Sequence, residues 1–90
     1  MDWQIKFETQ AEKELSALDN SVRIKILKYL RKLEKCDDPR AFGKQLTANL
    51  SGYWRYRVGS HRIISLITDI ELVILILAIR KRDVVYTINL

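Results

Sequence analysis

The sequence predicts an α+β fold, a helical hairpin packed on a mostly antiparallel sheet in the order β-α-α-β-β-β. Three observations predict it. Trp3, Ile5 and Phe7 alternate with Gln4, Lys6 and Glu8, the period-2 signature of a half-buried strand. Two stretches of helical spacing follow, Ala11, Leu15 and Leu18, then Val22, Ile26, Tyr29, Leu30 and Leu33. Beyond them, three strand-like runs are separated by turn residues.

Each element has a local cause. Thr9 stands three residues before Glu12, the pattern of a capping box, and predicts a helix over 10–18. Asp19-Asn20-Ser21 breaks that helix and offers a cap for a second one over 21–35. Its remaining surface carries Arg23, Lys25, Lys28, Arg31, Lys32 and Lys35, read as a solvated face that adds long-range positive potential. Pro39 ends it, because proline biases Asp38 away from helical angles. Residues 39–50 read as loop with one helical turn near Arg40 to Gly43. Ser51-Gly52 is a turn, 53–58 a strand, Gly59-Ser60 a hairpin turn and 62–68 the returning strand. Asp69-Ile70-Glu71 turns the chain into 72–79, an apolar run with no polar face and hence a strand buried on both sides. Residues 84–88 are predicted to extend the sheet or wrap its edge.

The 90 residues form one domain, 1–90, with room for one modest core. Apolar content of 48% and charged content of 30% describe an ordinary globular chain. Cys36 is the only cysteine, which excludes an internal disulfide and suits a reducing compartment. It reads as a small half-buried side chain at a helix end rather than a nucleophile. The N-terminus lacks the build of a signal peptide, and the longest apolar run, eight residues from Leu72, is too short to span a bilayer as a helix. A cytoplasmic protein without membrane contact is expected. No metal-ligand or glycine-rich phosphate-loop spacing is present, so neither metal nor cofactor is expected.

The net charge of +5 favours a negatively charged partner. Its distribution sharpens this: no acidic residue lies between Asp38 and Asp69, while Arg40, Lys44, Arg55, Arg57 and Arg62 do. Strand alternation puts Trp54, Tyr56 and Val58 on one side, as core, and Arg55 and Arg57 on the other. Arg80-Lys81-Arg82, with Tyr86 beyond, is the natural companion on the same sheet. Arginine keeps its charge and presents five donors in a fixed fork suited to phosphate. RNA carries a built-in nucleophile in its 2′-hydroxyl. Its cleavage needs that oxygen held in line and the extra negative charge on phosphorus stabilised, which a cation cluster supplies without a metal.

The string Tyr53-Trp54-Arg55-Tyr56-Arg57-Val58-Gly59-Ser60-His61-Arg62-Ile63-Ile64 resembles the central hairpin of RelE/ParE-superfamily toxins, of which Trp-Arg-Tyr-Arg-Val-Gly-x-x-Arg-Ile-Ile is a frequent form. Asp38-Pro39-Arg40, Gly43-Lys44-x-Leu46 and Arg80-Lys81-Arg82-Asp83-Val84-Val85-Tyr86 match as well, so the resemblance covers nearly the whole chain. Its RelE branch implies the toxin of a toxin–antitoxin pair, a metal-independent endoribonuclease that enters the ribosomal A site and cuts mRNA by 2′-hydroxyl attack, leaving a 2′,3′-cyclic phosphate. The resemblance assigns catalytic roles to Arg55, Arg57 and Arg62, to Arg80 or Arg82, and to Tyr86. Lys44 and Lys81 are expected to add RNA contacts. It also implies a RelB-like antitoxin as partner and a monomeric toxin that becomes multimeric with it.

This chain departs from members that carry lysine at positions 55 and 57. Arginine is a poor base at neutral pH. His61, the sole histidine, has an ordinary pKa near 6.5 suited to proton transfer, and its alternative reading is a turn residue pointing to solvent. The rival functions are a ParE-like inhibitor of DNA gyrase that cuts nothing, and a non-toxic basic RNA-binding module.

Overall fold

The computed structural model describes residues 2–81. The readings for Arg82, Tyr86 and the strand over 84–88 lie outside them. Strand β1 (Gln4–Phe7) leads into helices α1 (Thr9–Ser16) and α2 (Asn20–Lys35), followed by a 3₁₀ turn (Pro39–Phe42). Then come β2 (Lys44–Gln45), a second 3₁₀ turn (Ala48–Leu50), β3 (Trp54–Val58), β4 (His61–Thr68) and β5 (Val73–Lys81). The five strands form one sheet in the order β1-β5-β4-β3-β2, parallel between β1 and β5 and antiparallel elsewhere. Among the described residues, no helix is long and apolar enough to cross a membrane.

The predicted helices form, with their starts moved. Thr9 does not cap α1; it is the first helical residue, and Glu8 is the cap, with no side-chain hydrogen bond. The cause is the sheet. The Glu8 N–H donates to the Ile76 carbonyl at 2.9 Å, holding Glu8 extended until the helix begins. The second helix starts at Asn20 behind Asp19. Ile26, Leu30 and Leu33 of α2 and Ala11 and Leu15 of α1 pack on the sheet against Tyr56, Ile63, Ile67, Ile74, Ile76 and Ile79. Strand β5, between β1 and β4, contributes to the core on both of its faces, as its unbroken apolar run requires.

The segment predicted as plain loop does more than connect. Lys44 and Gln45 pair with Arg55 and Trp54, and Leu46 and Leu50 fold onto the face opposite the helices. There they bury a second, smaller apolar cluster with Ile64 and Ala78. That face is therefore half core and half cationic. Gly43 is needed where this segment passes β3: a Cβ there would lie 3.0 Å from Tyr56 Cε1 and 3.1 Å from the Arg55 carbonyl oxygen. The β3–β4 hairpin closes on Gly59-Ser60, with Val58 opposite His61 and Gly59 at φ +60°. Glycine at the first central position suits a two-residue hairpin loop, whose twist then matches its strands.

Candidate functional site

The sheet register sets the basic residues in a row. Arg57 of β3 lies directly opposite Arg62 of β4, and Arg62 directly opposite Arg80 of β5. Side chains paired in this way stand about 5 Å apart at Cβ, and like charges there repel. One row further along, Lys44 lies opposite Arg55 and Arg55 opposite Ile64. The sheet thus brings together Lys44, Arg55, Arg57, Arg62 and Arg80.

Arg80 reaches this row because β5 is irregular. Ile74 and Ile76 face the helices, so strict alternation would turn Ala78 and Arg80 the same way. Instead the β4–β5 register shifts between Ile64 and Ser65: Ile64 pairs with Ala78 but Ser65 with Ile76. Leu77 is the extra residue of this bulge. Past it, Ile79 returns to the helix-side core, while Ala78 joins the opposite cluster. Arg80 shares that opposite face with its register partner Arg62.

The members differ in exposure. Arg57 is exposed and Arg55 half-buried. Arg62 is only 4% exposed; its Nη1 donates to the carbonyls of His61 at 3.2 Å and Gly59 at 3.4 Å. The expectation that Arg62 stands on an open face is thereby corrected: its side chain is buried. Arg80 Nε donates to Glu14 Oε2 of α1 at 2.5 Å, and Glu14 Oε1 accepts the Ile79 backbone N–H at 3.0 Å. Sequence reading passed over Glu14. The available signal is that residue 14 falls on the apolar side of α1, three residues after Ala11 and four before Leu18.

His61 and Lys81 do not join the row. They lie opposite each other on the helix side, lining a groove of about 360 Å³ with Ala17 and Leu18 at the end of α1, and Glu14 and Arg80 line the same groove. His61 is 7% exposed, so it is no solvent-facing turn residue. Burial, and then the nearby Lys81 charge, pushes its imidazole below the ordinary value. Above about pH 6.5 the imidazole is neutral in both folded and unfolded chains. As pH falls below that, the unfolded chain takes up a proton that the folded one refuses, so stability declines until the folded imidazole protonates too. Thermal melts between about pH 8 and pH 5 should show this loss, and His61→Gln should remove it. An unchanged slope in that variant would assign the effect elsewhere. Asp69, held below its usual range by its bond to Arg40, contributes only at more acid pH.

Arg40, one of the cations in the stretch without acidic residues, is committed to an ion pair. Its Nη1 and Nη2 donate to both Asp69 carboxylate oxygens at 2.8 and 2.7 Å, tying the first 3₁₀ turn to the β4–β5 turn. The whole Asp38-Pro39-Arg40 string is structural: the Asp38 carboxylate accepts the Arg40 N–H, and the Pro39 carbonyl accepts the Tyr56 hydroxyl at 2.8 Å. Cys36 donates its thiol to the Leu33 carbonyl, and burial followed by Asp38 raises its pKa, the opposite of an activated nucleophile.

A sequence model of the family described as the ParE toxin of the type II toxin–antitoxin system parDE matches residues 5–86. Solved structures share the fold. The toxin–antitoxin complex RelBE2 from Mycobacterium tuberculosis has a chain 24% identical, with a TM-score of 0.82 over 91% of this chain and 100% of that one. The archaeal RelE–RelB complex from Pyrococcus horikoshii gives 28% identity and a TM-score of 0.72 over 91% and 97% of the two chains. A free-state mutant of the E. coli toxin RelE gives 22% identity and a TM-score of 0.76 over 97% and 93%. No curated protein matches the sequence.

Proposed function

The chain belongs to the ParE toxin family of type II toxin–antitoxin systems, within the RelE/ParE superfamily, and from that premise we propose that it is a ribosome-dependent endoribonuclease of the RelE kind. The observation that carries the proposal is the row Arg57, Arg62 and Arg80 on three adjacent strands. Guanidinium groups aligned across one sheet face present the fixed charge and forked donors that a phosphodiester takes.

In this reading the 2′-hydroxyl gives up its proton as its oxygen attacks the adjacent phosphorus, the P–O2′ bond forms, the P–O5′ bond breaks, and the departing 5′-oxygen takes up a proton, leaving a cyclic phosphate and a free 5′-hydroxyl. Charge on the phosphoryl oxygens rises in the transition state. Exposed Arg57 meets it directly; Arg62 adds charge from a site shielded from water, where its field is less screened. Lys44 and Arg55 extend the cationic strip along the RNA backbone. Arg82 and Tyr86, from the resemblance, complete the site. His61 and Lys81 stand on the helix side of the sheet, in a groove that Glu14 and Arg80 also line. The partners are the ribosome with its A-site mRNA and, by likeness to the RelB–RelE complexes, an antitoxin that covers the row. The compartment is the cytoplasm.

One observation favours a second reading. The family model that matches is that of ParE, so inhibition of DNA gyrase without RNA cleavage is the alternative. Mapping mRNA ends in a purified translation mixture, with and without ribosomes, separates them. Cuts that require ribosomes are the expected result. Intact mRNA together with stalled gyrase establishes the alternative, and RNA bound but uncut with gyrase unaffected reduces the protein to a binding module.

A further inference from the structure

We infer that Glu14 is the positioning residue for Arg80, holding its guanidinium by one edge so that its terminal nitrogens face the substrate phosphate. The inference rests on the ribonuclease reading and adds a residue to it. Glu14 lies on α1, remote in sequence from every basic residue of the row, and its side chain is 16% exposed. Both of its oxygens are engaged on consecutive residues of β5: Oε1 accepts the Ile79 N–H, and Oε2 accepts Arg80 Nε. Strand β1 pairs with β5 only as far as Ile76, so Glu14 takes over the backbone of β5 where β1 has ended.

The geometry separates positioning from mere charge pairing. A carboxylate can clamp an arginine by two of its donors, as Asp69 does with Arg40. Glu14 divides its oxygens instead, Oε1 to the Ile79 N–H and Oε2 to Arg80 Nε. Only Nε is taken, and the two terminal nitrogens of Arg80 bond no described residue. They remain available as a fork for a phosphate. Releasing Arg80 would leave a largely dehydrated carboxylate without its counter-charge, which is strongly unfavourable. The pair therefore stays closed while the site works, and a long flexible side chain is fixed at one end before substrate arrives.

The test is a double-mutant cycle in the ribosome assay with Glu14→Ala, Arg80→Ala and the double variant. Glu14→Gln is run beside them, because it keeps an acceptor for the Ile79 N–H if Glu14→Ala folds poorly. Losing a positioning contact is expected to lower kcat about tenfold with KM little changed, and the loss should vanish in the Arg80→Ala background. A merely structural role would persist in that background and overturn the inference. A faster Glu14→Ala enzyme would overturn it too, showing a carboxylate that competes with substrate for Arg80. An NMR arm needs no turnover: the Arg80 Nε–H signal of the free protein should be protected from exchange and lose that protection in Glu14→Gln. Wild-type protein that leaves mRNA uncut defeats the ribonuclease reading. In that case an unprotected Arg80 signal overturns the contact itself, and a protected one upholds it.

Discussion

Arg57→Ala should lower cleavage of ribosome-bound mRNA by about 10²–10³-fold, the usual effect of removing one preorganised donor from a developing negative charge. The same variant should be as stable as the parent, or more so. Arg57 is exposed and sits opposite Arg62, so its removal relieves a like-charge pair worth roughly 0.2–1 kcal/mol. Opposite signs for activity and stability are the fingerprint of a residue kept for its chemistry. Arg62→Ala does not give so clean a result. Arg62 is buried and bonds the hairpin carbonyls, so its loss mixes a structural defect with a catalytic one. Single-turnover cleavage beside urea unfolding measures both quantities for Arg57. Full activity in Arg57→Ala would remove the row from the mechanism.

Tyr56→Ala should be the most damaging single change to the fold. Tyr56 is wholly buried, meets Tyr29 ring to ring at 5.8 Å, and lies where Gly43 leaves no room for a Cβ. Truncating an aromatic of this kind costs about 3–5 kcal/mol, a large part of the roughly 5–15 kcal/mol that holds a domain together. Tyr56→Phe isolates the hydroxyl. It keeps the ring and strips the Pro39 carbonyl of its donor, for an expected loss of about 1–3 kcal/mol. Urea unfolding of the two variants gives the two values. Equal stability of Tyr56→Phe and parent would show that the Tyr56–Pro39 bond contributes nothing net.

The elements were legible because their signals are local. Period 2 in 54–58 and period 3.6 in 22–33 need no knowledge of distant residues, and both gave the observed core faces. What escaped was long-range. Strand β2 is two residues long, too short for any alternation, and exists only because β3 runs beside it. Arg40 counted as one more cation of the acid-free stretch because its partner Asp69 lies 29 residues away. Leu46 and Leu50 cover part of a face that strand alternation alone assigned to water. The cations at 55, 57 and 62 were visible as a string, yet their burial was not, since it depends on what the folded chain lays over each side chain.

The bulge at Leu77 has an evolutionary consequence. The strand absorbs its extra residue locally, and the pairing beyond it, Ile64 with Ala78 and Arg62 with Arg80, is set by β4. Loss of the Leu77 codon would restore unbroken alternation and leave Arg80 on the face of Arg62. A codon lost between Ala78 and Arg80 would instead turn Arg80 to the helix side while leaving every basic residue in the gene. Relatives can therefore differ in length at Leu77 and keep the row, and lose its third arginine by a change in length two residues further on.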